Sequence, residues 1–511
     1  MASKFQYASW AESPALVAVT VILCTSLSWV IYCLLLSPLR GYPGPFLARI
    51  SPLWIVMQCR RGRRSQAVSD LHQRYGDFVR ISPNHISIAD AKAVQQIYGH
   101  KTGFLKGPTH DVKTNNPLDL PFHQVEPVLF NTRDPKVHQR KKKIVSPAFS
   151  ARGLQDFEPH MSRDIRKLID LMDERVRTSN GATRLDFNEY SNFLAFDAIG
   201  DFAFGESFGF LDRGEDYLNL IDAVDARGEA LNALGHLPRV VREFIKKFPL
   251  DPFWSQGMRG TQALAAIGTK AYFKRRDQVG STSRKDLLSL LFNAKDPNTG
   301  NALEEKEVIA ESISFIVGGS DTTSTSMTNV VDIVSRDEAI QRRLHEELDG
   351  VFSGEMAADW VPDFKTIENL PVLNAVVRET MRFRPTSATG LERVTPKGGK
   401  VVAGRFLPEG TLVSVPTLNV HHNSREFQDA DTFNYERWLA EDSGKLLESF
   451  VPFSVGPRAC VGRNFAWMEM FKTLAALFKL FHIERVPLGD TQLCEGFFVK
   501  TKECHVTLRR R

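Results

Sequence analysis

The sequence predicts a mainly α-helical protein with a small β-rich region, preceded by one N-terminal transmembrane helix. Three observations lead to this prediction. Residues 15–36 are apolar and uncharged, amphipathic helical patterns fill residues 155–290 and continue to about residue 335, and strand-like alternation is confined to short stretches such as 78–88 and 406–420. A hydrophobic content of 42% in 511 residues is typical of a globular protein with a large core.

Charge and cysteine content exclude several classes of protein. The net charge is only +5, so the composition does not indicate a nucleic-acid-binding protein. The six cysteines form no CxxC pair, and two of them lie in the N-terminal apolar run, which is not the pattern of a disulfide framework. Internal repeats and Asn-x-Ser/Thr sequons are both absent from the sequence.

The N-terminal segments predict a membrane anchor and a tethered domain. Residues 15–36 would span roughly 33 Å as a helix, enough to cross a bilayer. A cleaved signal peptide is the alternative, but the run is long for one and a Pro/Gly-rich linker, residues 37–46, follows it. Basic residues are concentrated after the run, so we expect residues 1–14 in the lumen and residues 47–511 as a cytosolic catalytic domain.

One cysteine lies in a loop suited to holding a metal cofactor. Cys460 stands between Gly456 and Gly462, with Arg458 two residues before it and an apolar helical pattern directly after it. Glycines permit a close approach to a flat surface, and helix N–H groups stabilise a thiolate. Arg458 is suited to meet an anion on the edge of such a cofactor. The alternative is a small buried hydrophobe, as most lone cysteines are.

A second segment breaks the rules of helix stability. Asn301 and Glu304 predict a capping box, from which a helix would run to about Ser335. The stretch from Gly318 to Thr322 places two glycines, an acid and hydroxyl residues in its middle, and these weaken a helix interior. A functional opening in the helix explains this choice, and a kink with close small-residue packing is the alternative.

Two further groups of charged residues need an explanation. Glu379 and Arg382 are three residues apart, so they share one helix face and can form an ion pair, on the surface or buried. The basic run Lys136–Lys143, which contains His138 and Lys142, predicts either a solvated helix face or a surface that attracts an acidic partner.

Together these motifs resemble the cytochrome P450 family of haem-thiolate monooxygenases. The pattern from Phe453 to Gly462 is similar to the haem-binding signature, with Phe, Gly, Arg, Cys and Gly at the fixed positions. The Gly-Gly-x-Asp-Thr stretch and the Glu-x-x-Arg pair also match family motifs in the expected order. The anchor resembles fungal microsomal members, and residues 196–205 are partly similar to the benzoate para-hydroxylase group. The resemblance implies the cytochrome P450 fold, with residues 104–130 as a loop that lines the substrate pocket.

The resemblance also implies roles for particular residues. Cys460 would be the thiolate ligand of the iron of a haem b cofactor, with Phe453 and Gly462 beside it. Asp321 would relay protons and Thr322 would donate a hydrogen bond beside a bound oxygen molecule. Glu379 and Arg382 would join Arg437 in a buried structural network. The haem propionates would be bound by His138, Lys142, Arg393 and Arg458, with Lys142 replacing the arginine that many members have. Tyr435 replaces a usual proline beside Arg437.

The implied function is hydroxylation or another oxidation of a small lipophilic substrate, with O2 and electrons from a separate NADPH-cytochrome P450 reductase or a cytochrome b-type donor. The expected location is the endoplasmic reticulum membrane. A tailoring step in fungal secondary metabolism and hydroxylation of an aromatic acid are both open. A haem-thiolate isomerase or dehydratase, and a membrane-tethered haem protein without turnover, are open as well.

Overall fold

Helices make up most of the molecule. The computed structural model describes residues 14–113, 127–278, 284–357, 359–487 and 489–511. The α-helices among these residues, in chain order, are α1 (Pro14–Ile31), α2 (Phe46–Ile50), α3 (Leu53–Arg60), α4 (Arg64–Tyr75), α5 (Lys92–Tyr98), α6 (Pro135–Val145), α7 (Ala151–Gln155), α8 (Glu158–Thr178), α9 (Phe187–Phe204), α10 (Phe210–Arg213), α11 (Leu220–Leu234), α12 (Arg239–Lys247), α13 (Pro252–Asp277), α14 (Leu287–Asn293), α15 (Glu305–Gly319), α16 (Asp321–Val334), α17 (Glu338–Val351), α18 (Phe364–Ile367), α19 (Pro371–Phe383), α20 (Thr417–His421) and α21 (Arg463–Leu480).

Short strands form small sheets at the edges of the helical body. The largest sheet has the strand order β1-β2-β8-β5-β3, a three-stranded sheet has the order β4-β12-β9, and β6-β7 and β10-β11 form two-stranded sheets. The strands are β1 (Phe78–Ser82), β2 (His85–Ile88), β3 (Leu105–Lys106), β4 (Ala182–Asp186), β5 (Arg393–Val394), β6 (Lys400–Val402), β7 (Arg405–Leu407), β8 (Leu412–Ser414), β9 (Phe481–Arg485), β10 (Leu493–Glu495), β11 (Val499–Thr501) and β12 (His505–Arg510).

The main core lies where α8, α9, α16 and α21 pack together. Helices α9, α16 and α21 are buried on most sides and α8 along one face, and their apolar side chains contact one another in one continuous cluster, with members such as Leu168, Phe193, Met327 and Leu474. Helices that are buried on most sides are typical of the interior of a large protein. This packing fixes α16 and α21 relative to each other, and both helices line the cavity described below.

The N-terminal helix is long and apolar enough to cross a membrane. It comprises α1 and a π-helical turn (Tyr32–Leu36), and by length and composition it is a candidate span. Its C-terminal end is fastened to the β1-β2 hairpin by Arg80, a fully buried side chain. The guanidinium donates to the carbonyl oxygens of Cys33, at 3.1 Å, and Pro83. The hairpin predicted at residues 78–88 is present as β1 and β2.

Several local predictions were wrong. The capping box at Asn301 does not form, because α15 begins at Glu305 and Glu304 at its N-cap makes no side-chain capping bond. The backbone carbonyl of Asn301 instead accepts from the N–H of Asp296 in a turn. The helix predicted to run to about Ser335 is divided into α15 and α16 at Ser320, within the stretch where the sequence predicted an opening. The alternation at 406–420 gives β7 and β8, but Thr417–His421 forms the short helix α20, which packs against α4 and α19.

Candidate active site

A cavity of about 1290 Å³ lies in the centre of the helical body. Most of the lining is apolar, and its walls come from α11, α13, α15, α16, the start of α21 and the turn between β10 and β11. The sequence-predicted residues that line it are His138, Lys142, Thr322, Phe453, Arg458, Cys460 and Gly462. Asp321, Arg393, Glu379, Arg382 and Arg437 lie outside the lining.

The loop before α21 has a backbone that its sequence makes possible. Gly456 has φ +72°, and a Cβ atom there would collide with the carbonyl oxygen of Tyr98 on α5. Ser454 also has a positive φ, of 58°. The N–H of Cys460 donates to the carbonyl oxygen of Phe453 at 2.9 Å, which closes the loop. Glycine at position 456 is therefore required by both conformation and space.

The thiol of Cys460 faces the cavity. Cys460 is exposed, but its accessible surface belongs to the cavity lining, which protein surrounds. Burial raises the pKa of the thiol, while the backbone N–H of Gly462 and the charge of Arg463 act in the opposite direction. The nearest atoms to a Cβ built on Gly462 are Cys460 Sγ and Phe149 Cε1, both at 3.9 Å. The wall beside the sulfur is therefore open to a flat group.

Positive charge is concentrated at one side of the cysteine loop. Arg458 donates to the carbonyl oxygen of Thr132 at 2.7 Å, and Lys142 donates to that of Pro457 at 3.0 Å. Arg393 lies behind the wall against the ring of Tyr98, 4.9 Å from its centroid. Within the described part of the chain none of the three cations forms an ion pair with a carboxylate. Each contact with a backbone carbonyl leaves the positive charge uncompensated.

His138 lies within this group of cations. It is buried on α6, and its pKa is lowered to about 3 by burial and by the charges of Arg458, Lys106, Lys142 and Arg393. The imidazole is therefore neutral at physiological pH. Burial and the charge of Arg393 also lower the pKa of Arg458 to about 10. An anion placed among these side chains would relieve their mutual repulsion.

The opposite wall contains the interrupted helix. Gly318 has an open position facing the cavity, whereas a Cβ on Gly319 would lie 2.5 Å from the Cδ1 atom of Ile199. The two glycines thus differ: one leaves room and the other allows close packing with α9. Thr322 Oγ1 donates to the carbonyl oxygen of Gly318 at 3.1 Å, across the break at Ser320. Both the open groove and the close packing expected from the sequence are present.

Asp321 points away from the cavity. Its Oδ1 atom lies 2.9 Å from Nζ of Lys500 on β11, which also contacts Asp225. Burial raises the pKa of Asp321, and the charge of Lys500 and its hydrogen bond to the carboxyl group act to lower it. Thr322 is in the cavity wall, and its neighbour in sequence is part of a charge cluster behind that wall.

The Glu379 and Arg382 side chains meet Arg437 in the interior. Arg382 lies 2.8 Å from Glu379 Oε1, and Arg437 Nε lies 3.2 Å from the same oxygen. Trp438 Nε1 and the Asn434 N–H also donate to the carboxylate, both at 2.9 Å. No separate pattern in the sequence indicates these last two donors. They allow Glu379 to remain fully hydrogen-bonded although it is inaccessible to solvent.

The basic run on α6 is only partly at the surface. Lys141 is buried and pairs with Glu307 and, at 3.1 Å, with Glu311 on α15. Arg140 pairs with Asp296 at 3.1 Å. The basic run is therefore not wholly a solvated face, because two of its cations bind acids from neighbouring elements. Lys136 and Lys143 are exposed.

Several cavity residues were not found from the sequence. Arg227 on α11 and Phe497 and Phe498, between β10 and β11, line the cavity although their sequence neighbourhoods contain no motif. Phe130 also lines it, at the end of the predicted pocket loop 104–130. Residues 114–126 of that predicted loop lie outside the described residues. Tertiary contacts alone bring these segments together.

Fold and site together define a class: a mainly helical protein with a large internal cavity, a cysteine in a glycine loop on one wall and an interrupted helix on the other. The family model of cytochrome P450 matches residues 43–507, so the chain belongs to the cytochrome P450 family. Members are haem-thiolate enzymes, and the protein is a monooxygenase that works with haem, O2 and redox partners.

Relatives with similar sequences come from fungi. Benzoate 4-monooxygenase bphA of Aspergillus niger is 36% identical over 496 residues, covering 93% of each chain. Cytochrome P450 monooxygenase BOT4 of Botryotinia fuckeliana is 31% identical over 481 residues, covering 92% of this chain and 85% of that one. Among solved structures, the heme domain of cytochrome P450DA has a TM-score of 0.75 at 19% identity, over 92% of this chain and 97% of that one, which shows the shared fold.

The residues around the cavity fit a haem. A thiol faces the cavity beside the open wall at Gly462, which leaves room for a planar group. Arg458, Lys142 and Arg393 lie at one side without carboxylate partners among the described residues, and haem carries carboxylates on its edge. The donor set therefore supplies a metal ligand and countercharges for the same group.

Proposed function

We propose that this protein hydroxylates, or otherwise oxidises, a small lipophilic organic substrate, with Cys460 as the haem ligand. The observation that supports this most directly is that the Cys460 thiol and Thr322 lie on walls of one largely apolar cavity. A pocket of this kind favours apolar substrates and excludes bulk water. When bound, the haem supplies activation of O2 and transfer of one oxygen atom to the substrate.

The protein's own residues would bind and orient the haem and deliver protons to the reaction. Cys460 would hold the metal through its sulfur, Arg458, Lys142 and Arg393 would neutralise the propionates, and His138 would lie beside them. His138 would donate an N–H bond from a neutral ring. Phe453 and Gly462 shape the surface beside the sulfur.

Thr322 and Asp321 form the proton-delivery side of the proposal. Thr322 presents its hydroxyl at the cavity wall, and Asp321 exchanges protons with water from behind that wall. The pKa of Asp321 is raised by burial, which brings proton exchange at this carboxyl group closer to neutral pH. The Glu379, Arg382 and Arg437 network would hold α19 and the segment around Arg437 in fixed positions.

For the biological role, we favour a tailoring step in fungal secondary metabolism. Relatives over most of the chain include monooxygenases such as BOT4 and, from Aspergillus oryzae, astJ, which is 32% identical over 464 residues. A second candidate is hydroxylation of an aromatic acid, favoured by the 36% identity to benzoate 4-monooxygenase bphA over 93% of the chain. Product analysis after gene deletion separates the two.

The redox partner and location belong to the same proposal. Electrons come from an NADPH-cytochrome P450 reductase, with a cytochrome b-type donor as an additional source, and Lys136 and Lys143 offer exposed positive charge for docking. The N-terminal helix anchors the chain in the endoplasmic reticulum membrane. Basic residues after the helix favour a cytosolic catalytic domain.

Replacement of the cysteine tests the proposal. In Cys460→Ser the thiolate is lost, so we expect the thiolate-type spectrum of the reduced carbon monoxide adduct to disappear, together with NADPH-dependent product formation. Cys494→Ser is the matched control, because Cys494 lies outside the cavity lining. If the thiolate-type spectrum survived in Cys460→Ser, this cysteine would not be the ligand and the proposed site would be wrong.

A further inference from the structure

One arginine in the cavity wall has no partner among the described residues. Arg227 projects from α11 into the lining, as does Leu231 one helical turn later. Within that part of the chain the Arg227 guanidinium makes no hydrogen bond and no ion pair. A partly buried guanidinium normally binds a carboxylate or several carbonyl oxygens. This one offers its donors to the cavity.

Other cations in the lining differ from Arg227. Lys246 pairs with Glu243 at 3.1 Å and Lys306 with Glu304 at 3.0 Å. Arg458 and Lys142 donate to backbone carbonyls beside the cysteine loop, where haem propionates would account for their charge. Lys106 donates to the carbonyl oxygen of Phe130, and Lys270 is exposed. Of these seven cations, and within the described residues, Arg227 alone is half-buried without a protein partner or a role toward the cofactor.

Neighbouring acids do not satisfy Arg227. Asp321 attracts the guanidinium electrostatically but is hydrogen-bonded to Lys500, and Asp225 is bound to the same lysine. Burial lowers the pKa of Arg227 to about 10, so the side chain still carries its charge at pH 7. A charge that is half-buried and has no partner is unfavourable, which makes the site receptive to an anion.

We infer that Arg227 binds a carboxylate of the substrate, so the substrate class is a small lipophilic organic acid. The guanidinium fork matches a carboxylate in two parallel hydrogen bonds, and the largely apolar remainder of the cavity takes the hydrocarbon part. Gly228, the next residue, lies against the turn that carries Phe497, whose side chain also lines the cavity. An aromatic wall therefore adjoins the anion site. This inference rests on the proposed function and narrows it.

Binding of matched acids and esters tests the inference. The haem-loaded full chain is titrated with benzoate, cinnamate and decanoate, and with their methyl esters, using the spin-state change of the haem Soret band and calorimetry. We expect the native protein to prefer at least one acid over its ester. Arg227→Gln should weaken the binding of that acid about 10-fold to 100-fold, which is about 1.4–2.8 kcal/mol. The affinity for the ester should change by less than about twofold.

Two further variants sharpen the test. Arg227→Lys keeps the charge but loses the fork, so we expect intermediate acid binding. Lys270→Gln removes one charge from the same cavity lining and should leave the acid preference unchanged. If Arg227→Gln does not fold, the native protein and Arg227→Lys still decide the question.

Equal weakening of acid and ester in Arg227→Gln, no change in either, or a native protein without any acid preference would overturn the inference. The proposed function fails separately. It fails if the native chain shows no thiolate-type spectrum or no NADPH-dependent oxidation, whereas calorimetric discrimination between acid and ester needs no turnover.

Discussion

The hydroxyl of Thr322 is the smallest group on which the proposed chemistry depends. It donates to the carbonyl oxygen of Gly318 at 3.1 Å, which holds it at the break between α15 and α16 on the cavity wall. A threonine at this place adds little to helix stability, so a role of its hydroxyl in the reaction explains its presence better.

We therefore expect Thr322→Ala to uncouple the reaction. The substituted enzyme should still consume NADPH and O2, but the product formed per NADPH should fall several-fold, because one step of proton delivery is lost. Measuring product, NADPH and peroxide in the same assay checks this. Thr322→Ser keeps the hydroxyl and should retain most of the coupling. Full coupling in Thr322→Ala would remove Thr322 from the mechanism.

Residues of this kind could be predicted because their chemistry is local. Cys460, Gly456 and Arg458 belong to ten consecutive residues, and the loop's backbone needs follow from that short stretch. Arg227 could not be predicted, since an arginine in an amphipathic helix is usually solvated. Only the packing of α11 beside α13 and the β10-β11 turn directs it into the cavity.

At the scale of elements, Asp332 joins parts that are distant in sequence. This aspartate of α16 is inaccessible to solvent and accepts from Arg384 after α19 at 2.6 Å, Arg485 of β9 at 2.6 Å and Thr491 at 2.6 Å. Although burial opposes ionisation, these donors and Arg336 hold the pKa of the carboxyl well below its ordinary value of 3.8. The cluster therefore ties α16, which carries Thr322, to the C-terminal sheet.

Asp332→Asn should destabilise the fold by about 3–5 kcal/mol at pH 7, because it removes the negative charge that compensates the buried Arg485 and the half-buried Arg384 and Arg336. A depressed pKa means that the stabilisation is complete above the unfolded-state value and is lost as the pH falls through the folded-state value. The difference in the free energy of unfolding between Asp332→Asn and the native protein should thus shrink below about pH 4. Urea unfolding followed by tryptophan fluorescence at pH 7 and pH 3 measures it.

The control for this change is Asp442→Asn, which removes an exposed aspartate whose lysine partner lies 3.6 Å away. Its effect should stay within about 0.5 kcal/mol at either pH. A pH-independent loss in Asp332→Asn would mean that packing, and not charge, accounts for the effect.

The same scale explains which elements the sequence predicted well. The β1-β2 hairpin, α21 and the Glu379-Arg382 helix were predicted from period and spacing. The helix expected from Asn301 was not, because a turn containing Asp296 competes for its backbone. Lys141 was expected in solvent, but α15 supplies acids that bury it. Competition between local and tertiary partners decided these cases.

For the whole molecule, the structure indicates how the folded domain would be held at a membrane. The described part of the chain contains one helix suited to span a bilayer, and Arg80 connects its end to the hairpin. The linker is also fixed, since the Arg80 N–H donates to the carbonyl oxygen of Pro43 at 2.7 Å. The anchor would therefore orient the domain and not merely tether it.

Removal of residues 1–36 should release the protein from membranes and leave the domain folded. Arg80 would lose the Cys33 carbonyl but keep those of Leu39 and Pro83, so we expect a stability loss of only about 1 kcal/mol. Membrane fractionation with carbonate washing, and urea unfolding of the released protein, check both parts. Continued membrane association of the shortened chain would indicate a second membrane contact on the domain.

The sequence by itself determined the family, the cysteine loop, the interrupted helix and the candidate anchor, because each depends on consecutive residues or a fixed short spacing. The tertiary structure decided the rest. It separated Thr322, in the cavity wall, from Asp321 behind it, and it brought Arg227 and Phe497 into one lining. The physical reason is that burial and pairing of charges depend on which elements pack together, and short patterns do not record that.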